Sequence, residues 1–193
     1  MTTRPELVAI GTSLGGLNAL IEVLHALPET LPIPIAVVQH RGASPEGSLV
    51  SLLQQHTALT VVEPEDKTPM GPGLVYLAPG DYHLLVEERG MLALSTDPPV
   101  RSARPSIDVL FETAADAYGP ALLALLLTGA SADGAAGVAY VKERGGRVVV
   151  QDPATAESAV MPAAGIAATT VDYVLPLAQI GAHLVTLVEG TRV

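Results

Sequence analysis

The chain of 193 residues contains no cysteine and no tryptophan, and aromatic residues make up only 3% of it. Without thiols there is no disulfide, no thiolate nucleophile and no metal site built on cysteine. The lack of cysteine fits a cytoplasmic protein. Because aromatic side chains are so few, the core has to be built from Val, Leu, Ile and Ala, which suits parallel strands that are buried on both faces.

Positive charge is also scarce, since ten Lys and Arg residues stand against twenty Asp and Glu residues. Nucleic-acid surfaces need clustered cations, so this balance argues against binding to nucleic acid. The longest apolar run, residues 121–127, is far shorter than the roughly 20 residues that span a bilayer. Residues 1–6 lack the apolar core of a signal peptide. We therefore expect a cytoplasmic protein with no nucleic-acid partner and no insertion into membranes.

Short aliphatic runs alternate with helical patterns along the whole chain. We predict strands at residues 7–10, 35–39, 59–63, 74–77, 121–127, 147–150 and 173–175. We predict helices at residues 17–24, 44–56, 107–118, 135–144 and 177–189, the second of them opened by Ser44-Pro45-Glu46. This alternation predicts an α/β fold with a doubly wound, mostly parallel sheet and helices on both of its faces.

One part of the chain departs from that alternation. Residues 83–87 and 91–95 are two strand patterns joined by Glu88-Arg89-Gly90, which predicts a β-hairpin. The hairpin would be an antiparallel addition to an otherwise doubly wound domain.

Three polar residues each follow a predicted strand directly. Ser13 lies in the turn Gly11-Thr12-Ser13-Leu14-Gly15-Gly16, His40 ends the second strand, and Asp133 follows the strand at 121–127. Open α/β sheets bind ligands at the carboxyl ends of their strands. We therefore expect these three side chains at one edge of the sheet.

A serine, a histidine and an aspartate together suit nucleophilic catalysis. A serine hydroxyl is a weak nucleophile at neutral pH, and a neighbouring imidazole can take its proton during attack. A carboxylate on the other ring nitrogen fixes the tautomer and stabilises the imidazolium. Backbone N–H groups in the glycine-rich turns could donate hydrogen bonds to the oxyanion of a tetrahedral intermediate.

Each of these residues also has a simpler interpretation. Ser13 could contact a phosphate at a helix N-terminus, His40 could be structural, and Asp133 could cap the following helix. A nucleotide-binding domain is the weaker alternative, because the turn lacks the lysine of a P-loop and its glycines do not fit Gly-x-Gly-x-x-Gly. The sequence contains no His-Glu-x-x-His motif that would indicate a metal site.

Five segments, in order, resemble the catalytic domain of the CheB family, the chemotaxis protein-glutamate methylesterases. The resemblance runs from about residue 7 to about residue 188. The segments are Ile10-Gly11-Thr12-Ser13-Leu14-Gly15-Gly16, Val38-Gln39-His40, Leu77-Ala78-Pro79-Gly80-Asp81-Tyr82-His83, Arg104-Pro105-Ser106-Ile107-Asp108, and Leu127-Thr128-Gly129 followed by Asp133-Gly134-Ala135-Ala136-Gly137.

The resemblance implies Ser13 as nucleophile, His40 as general base and acid, Asp133 as the residue that orients the histidine, and the N–H of Ala130 as an oxyanion donor. The implied reaction is hydrolysis of γ-glutamyl methyl esters on the cytoplasmic helices of chemoreceptors, and some members of the family also deamidate glutamines. It needs no metal and no organic cofactor. The implied partners are methylated receptor helices and a separate receiver or signalling domain. Arg104 would either contact an acidic receptor helix or pair with a carboxylate near the start of its own helix.

The sequence departs from the family pattern at three places near the site. Leu14 stands where the family often has Thr, Arg41 where it commonly has Met, and Ala130-Ser131 where it usually has Met-Gly. These changes leave open the alternative of a catalytically weak or inactive regulatory or binding module. Full-length members carry an N-terminal receiver domain, and we expect residues 1–193 to be a single catalytic domain without one. We expect His83 to have a structural role in the hairpin.

Overall fold

The computed structural model describes residues 3–41 and 48–190, apart from the side chain of Ser48. In these residues seven strands form one parallel sheet and two more form a separate antiparallel pair. The strands are β1 (Leu7–Thr12), β2 (Ile35–Gln39), β3 (Thr60–Val62), β4 (Leu74–Leu77), β5 (His83–Glu88), β6 (Met91–Ser95), β7 (Leu122–Leu126), β8 (Arg147–Gln151) and β9 (Tyr173–Leu175). The helices are α1 (Gly16–His25), α2 (Ser48–Gln54), α3 (Ile107–Tyr118), α4 (Ala135–Glu143), α5 (Val160–Ala168) and α6 (Leu177–Glu189).

Strand β1 is the middle strand of the large sheet, whose order is β3-β4-β2-β1-β7-β8-β9. Strands β2, β3 and β4 lie on one side of β1, and the later strands β7, β8 and β9 lie on its other side. In register, Thr12 of β1 faces Gln39 of β2, and Gly11 of β1 faces Leu126 of β7. The carboxyl ends of β2, β1 and β7 therefore lie side by side, at the point where ligands bind in doubly wound folds.

The core has two layers, one on each face of the sheet. Alternate residues of β1 serve opposite layers, with Leu7 and Ala9 in one and Val8 and Ile10 in the other. The first layer contains the buried residues of α3, α4 and the hairpin, and the second contains those of α1 and α6. Both layers are almost wholly aliphatic, as the scarcity of aromatic residues predicts. The single phenylalanine, Phe111 of α3, is fully buried.

The hairpin of β5 and β6 lies outside the large sheet and packs against α3. Leu84, Val86 and Leu92 place it in the same core layer as that helix. The predicted fold class, a doubly wound parallel sheet with an added antiparallel hairpin, is confirmed.

The main difference from the sequence prediction is α5, which was not predicted. Its sequence has Pro162 at the third position and Gly165 further along, and both are normally helix breakers. The proline is tolerated because the N–H groups in the first turn of a helix have no acceptor within the helix, so the missing proline N–H costs no helical hydrogen bond. The predicted start of α2 at Ser44-Pro45-Glu46 lies outside the described residues. Among the described helices, none has the length and apolar character that a membrane crossing requires.

Candidate active site

The turn after β1 presents Ser13 at the edge of the sheet. The Ser13 N–H donates to Thr128 O at 2.9 Å, and the N–H of Gly16, where α1 begins, donates to Ser13 O at 2.9 Å. Gly15 has φ of 76°, a conformation that favours glycine. The side chain of Glu157 covers this residue, because a Cβ at Gly15 would lie 2.5 Å from the Glu157 Cβ. The sharp turn therefore depends on a glycine two residues after the serine.

Side chains from both neighbouring strands hold the backbone of this turn. Thr128, just past β7, donates from its hydroxyl to Leu14 O at 2.8 Å. Gln39, the last residue of β2, donates from Nε2 to Ser13 O and to His40 O, both at 2.9 Å. One amide group thus joins the backbones of Ser13 and His40. Gln39 and Thr128 are not among the predicted site residues, although a polar residue at the end of a buried strand is a usable signal.

His40 and Asp133 form a direct hydrogen bond, with 2.7 Å between His40 Nε2 and Asp133 Oδ2. The His40 side chain is 15% exposed and that of Asp133 only 1%. Since Nε2 faces the carboxylate, Nδ1 is the ring nitrogen left to act on a substrate. No described residue makes a hydrogen bond with the Ser13 hydroxyl, but Ser13 and His40 line the same cavity of about 520 Å³.

The Asp133 carboxylate is surrounded by hydrogen-bond donors. Oδ2 accepts from the Ile107 N–H at 2.7 Å in addition to His40. Oδ1 accepts from Ser106 Oγ at 2.9 Å, the Asp108 N–H at 3.1 Å and the Gly134 N–H at 3.1 Å. Three of these five donors belong to Ser106, the N-cap of α3, and to Ile107 and Asp108, its first two residues. The carboxylate therefore occupies the N-terminus of that helix, where negative charge is favoured.

A glycine in β1 allows α3 to come this close. A Cβ at Gly11 would lie 2.2 Å from Ile107 Cγ2, which is too close for any side chain. The small residue two positions before Ser13 thus lets the start of α3 pack against the end of β1, and this brings the donors around Asp133 next to the serine turn.

The two buried carboxylates of the site have pKa values shifted in opposite directions. Burial would raise the pKa of Asp133, but hydrogen bonds from His40 and from the N–H groups of Ile107 and Asp108 outweigh it, so the pKa lies below its usual value. Burial raises the pKa of Asp108, and the nearby charge of Asp133 adds to the increase, against hydrogen bonds from Gly137 and Arg101. Asp133 is therefore the carboxylate that is held ionised beside His40.

Ala130 and Arg104 both lie close to this centre. Ala130 is exposed in the loop between β7 and Asp133, and its N–H makes no hydrogen bond within the described part of the chain. Arg104 lines a cavity of about 490 Å³ together with His40 and Arg41.

Arg104 does not pair with a carboxylate of the described residues. Its guanidinium donates to Thr96 O at 3.0 Å and Asp97 O at 3.2 Å, and its Nε is buried without a partner. The arginine that pairs with a carboxylate at the start of α3 is Arg101, whose Nε lies 3.0 Å from Asp108 Oδ2. Of the two interpretations of Arg104, pairing with a carboxylate of its own helix start is therefore wrong.

The described residues contain no group of three or more His, Asp or Glu side chains that could hold a metal ion. The chain is thus a doubly wound α/β protein with a serine turn and a hydrogen-bonded His–Asp pair at the switch point of its sheet. It belongs to the CheB methylesterase family, whose sequence profile matches residues 8–184. This confirms the resemblance found in the sequence.

Individual relatives agree with this assignment. A putative protein-glutamate methylesterase/protein-glutamine glutaminase of Leptospira interrogans is 46% identical over 182 residues, which cover 94% of both chains. The protein-glutamate methylesterase FrzG of Myxococcus xanthus is 42% identical over 183 residues, which cover 95% of this chain and 55% of FrzG. The chain therefore spans nearly all of the Leptospira relative and about half of FrzG.

The fold also matches a solved structure of the family. The catalytic domain of the CheB methylesterase from Thermotoga maritima superposes with a TM-score of 0.90 at 37% identity, over 96% of this chain and 100% of that one.

Proposed function

We propose that the chain is a serine hydrolase that removes methyl groups from glutamyl methyl esters of chemoreceptor-type proteins, with Ser13, His40 and Asp133 as its catalytic residues. The observation that carries this proposal is the 2.7 Å hydrogen bond between His40 and an ionised, buried Asp133, with Ser13 in the same cavity. The names of the relatives support glutamyl esters, and for some relatives glutamine amides, as the substrate class.

In the first half of the proposed reaction, the Ser13 hydroxyl attacks the ester carbonyl and His40 Nδ1 takes its proton. Asp133 accepts the Nε2–H, which keeps Nδ1 unprotonated before attack and stabilises the imidazolium afterwards. The backbone N–H of Ala130 is the candidate donor to the oxyanion, and such a donor contributes about 3–4 kcal/mol to lowering the barrier. Because it is a backbone group, the change from Met to Ala at this position does not remove it.

In the second half, the tetrahedral intermediate collapses and the C–O bond to the methoxy group breaks. The leaving oxygen takes the proton from His40, and methanol departs. A water molecule then attacks the Ser13 ester, with His40 again taking a proton, and the glutamate carboxylate is released as the serine hydroxyl re-forms. With a glutamine substrate the same steps release ammonia in place of methanol.

Methanol release from a methylated receptor tests the proposal. The wild-type chain should release methanol, and Ser13→Ala should lower the rate by several orders of magnitude, because the members of such a triad act as a unit. Ser102→Ala is the matched control, since Ser102 is exposed and lines the neighbouring cavity that His40 also lines. Equal rates for wild type and Ser13→Ala would contradict the proposal.

A fluorophosphonate probe separates this proposal from that of a non-catalytic binding module. Only an activated serine reacts readily with such a probe, so we expect labelling of wild type and Ser102→Ala and no labelling of Ser13→Ala. A wild-type chain that neither reacts with the probe nor releases methanol would be a module that keeps the fold without the activity.

A further inference from the structure

His83 is the first residue of β5, outside the large sheet, and it is only 1% exposed. Its Nε2 lies 3.2 Å from Pro98 O, and its Nδ1 lies 3.2 Å from the N of Ser106. A carbonyl oxygen only accepts a hydrogen bond, so Nε2 carries the proton. A backbone N–H only donates, so Nδ1 is the acceptor, and the two contacts together fix a single neutral tautomer.

The residue that His83 holds is the first of three consecutive residues that donate to Asp133. Ser106 donates through its hydroxyl, and Ile107 and Asp108 donate through their backbone N–H groups. Ser106 itself is completely buried. The position of this short segment therefore determines where the Asp133 carboxylate lies and in which direction it faces.

We infer that His83 is a positioning residue for catalysis: through Ser106 it holds the start of α3 in the place from which that segment orients Asp133 toward His40. A series of hydrogen bonds runs from the hairpin through His83, Ser106 and Asp133 to His40. At 1% exposure, His83 has no surface from which to contact a substrate. The inference rests on the proposed function, since it assigns His83 a part in the reaction proposed above.

Packing alone does not account for a histidine at this place. An apolar side chain of similar size would fill the volume, but it would leave the Ser106 N–H buried without an acceptor. Such a group is costly, so the segment would shift to find another partner. A shift of about 1 Å in a group that positions catalytic atoms can lower a rate about 100-fold.

The test compares three substitutions with wild type. His83→Leu removes both hydrogen bonds. His83→Asn places an amide oxygen near the position of Nδ1, so it can still accept from Ser106. Leu84→Ala is the control, because Leu84 is the next residue of β5, is fully buried in the same core layer, and has no side-chain group that donates or accepts a hydrogen bond.

Two readouts are measured for each variant: kcat and KM for methanol release, and the low-field proton NMR signal of the hydrogen between His40 and Asp133. We expect His83→Leu to lower kcat about 10- to 100-fold, with KM changed less than about twofold, and to broaden or shift the proton signal. His83→Asn should recover most of the kcat and the signal. Leu84→Ala should lower the melting temperature and leave both readouts at their wild-type values.

A His83→Leu variant with wild-type kcat and proton signal would overturn the inference, as would a Leu84→Ala variant with the same losses as His83→Leu. If His83→Leu does not fold, the comparison of His83→Asn with His83→Gln decides. His83→Gln can reach Pro98 but not Ser106, so equal kcat and equal signals in the two amide variants would overturn the inference. The proton signal does not depend on turnover. A wild-type chain without methylesterase activity would thus contradict the proposed function, while the NMR comparison would still decide the role of His83.

Discussion

Asp133 precedes α4 and accepts hydrogen bonds from the N-terminus of α3, while Asp108 lies on α3 and accepts hydrogen bonds from the N-terminus of α4. Asp133, just before α4, accepts from the N–H groups of Ile107 and Asp108 at the start of α3. Asp108, on α3, accepts through Oδ1 from the N–H groups of Gly134 at 2.8 Å and Gly137 at 2.7 Å at the start of α4. The two helix starts are therefore fixed to each other by buried carboxylates, and only one of these carboxylates faces His40.

The two carboxylates should respond differently to replacement by the corresponding amide. In Asp108→Asn the amide oxygen can keep the Gly134 and Gly137 N–H donors, because both donate to the same oxygen. The amide NH2 would face only Arg101, whose half-exposed side chain can turn to solvent, so we expect stability within about 1 kcal/mol of wild type. In Asp133→Asn the amide NH2 replaces one of two oxygens that both accept hydrogen bonds, so it has to face donors. We expect the free energy of unfolding to fall by about 2–4 kcal/mol. Urea unfolding measures both values. Equal losses in the two variants would contradict this assignment of the donors.

The opposite pKa shifts predict opposite pH dependences. The pKa of Asp133 lies below the ordinary value of 3.8, so its stabilising effect is complete above that value and is lost only as the pH falls through the lower folded-state pKa. The pKa of Asp108 lies above 3.8, so its ionised form destabilises the fold at neutral pH, and this cost disappears as the pH falls through the raised pKa toward 3.8.

Urea midpoints between about pH 7 and about pH 4 check this. The difference between wild type and Asp108→Asn should become smaller as the pH falls, because a protonated Asp108 resembles the amide. The difference between wild type and Asp133→Asn should persist over the same range. Two differences with the same pH dependence would show that the shifts have been assigned incorrectly.

The amide of Gln39, which joins the backbones of Ser13 and His40, should matter for catalysis more than for folding. We expect Gln39→Leu to lower kcat about 10- to 100-fold, because Ser13 and His40, the proposed nucleophile and base, lose their common donor. Gln54→Leu is a matched control. Gln54 also makes two hydrogen bonds to the backbone, to Leu59 O and from the Val61 N–H, but at the edge strand β3, which β4 and β2 separate from β1. Thermal melting should show similar destabilisation of both variants. Methanol release should show a loss of kcat only for Gln39→Leu.

Gly129 leaves room for Ser13. A Cβ at this position would lie 3.0 Å from the Ser13 Cβ and 2.5 Å from Met161 Cε. The end of the methionine can move, but the serine is held by its backbone hydrogen bonds, so Gly129→Ala should displace Ser13 or strain its turn. We expect slower labelling by a fluorophosphonate probe. Gly71→Ala, where the nearest described atom is Leu74 Cδ1 at 3.1 Å, should label at the wild-type rate.

Arg104 provides a test of substrate recognition. Its charge has no carboxylate partner among the described residues, and it lines a cavity next to His40. We expect it to bind a carboxylate on the substrate helix. Arg104→Gln should then raise KM for a methylated receptor about 10-fold, the size of one charge-assisted hydrogen bond, and leave the hydrolysis of a small neutral ester unchanged. An equal loss on both substrates would assign Arg104 to the structure of the loop instead.

Much of the arrangement could be predicted because it follows from strand order and burial. The aliphatic runs predict buried parallel strands, and the carboxyl ends of those strands bring Ser13, His40 and Asp133 to one edge. The donors around Asp133 could not be predicted in this way, since Ser106, Ile107 and Asp108 reach it through tertiary packing at Gly11. The sequence also does not indicate which nitrogen of His40 faces the carboxylate, because ring orientation depends on the surrounding contacts.

The order of the sheet has a consequence for how the site is divided along the chain. A cut at the tip of the hairpin, between β5 and β6, would put β1, β2, β3 and β4 in one fragment and β7, β8 and β9 in the other. Within the sheet, the two fragments would meet along a single pair of strands, β1 and β7. Ser13 and His40 would belong to the first fragment, and Asp133 with all its backbone donors to the second. Neither fragment alone would hold a complete site, so activity would report directly on the reassembly of the two fragments.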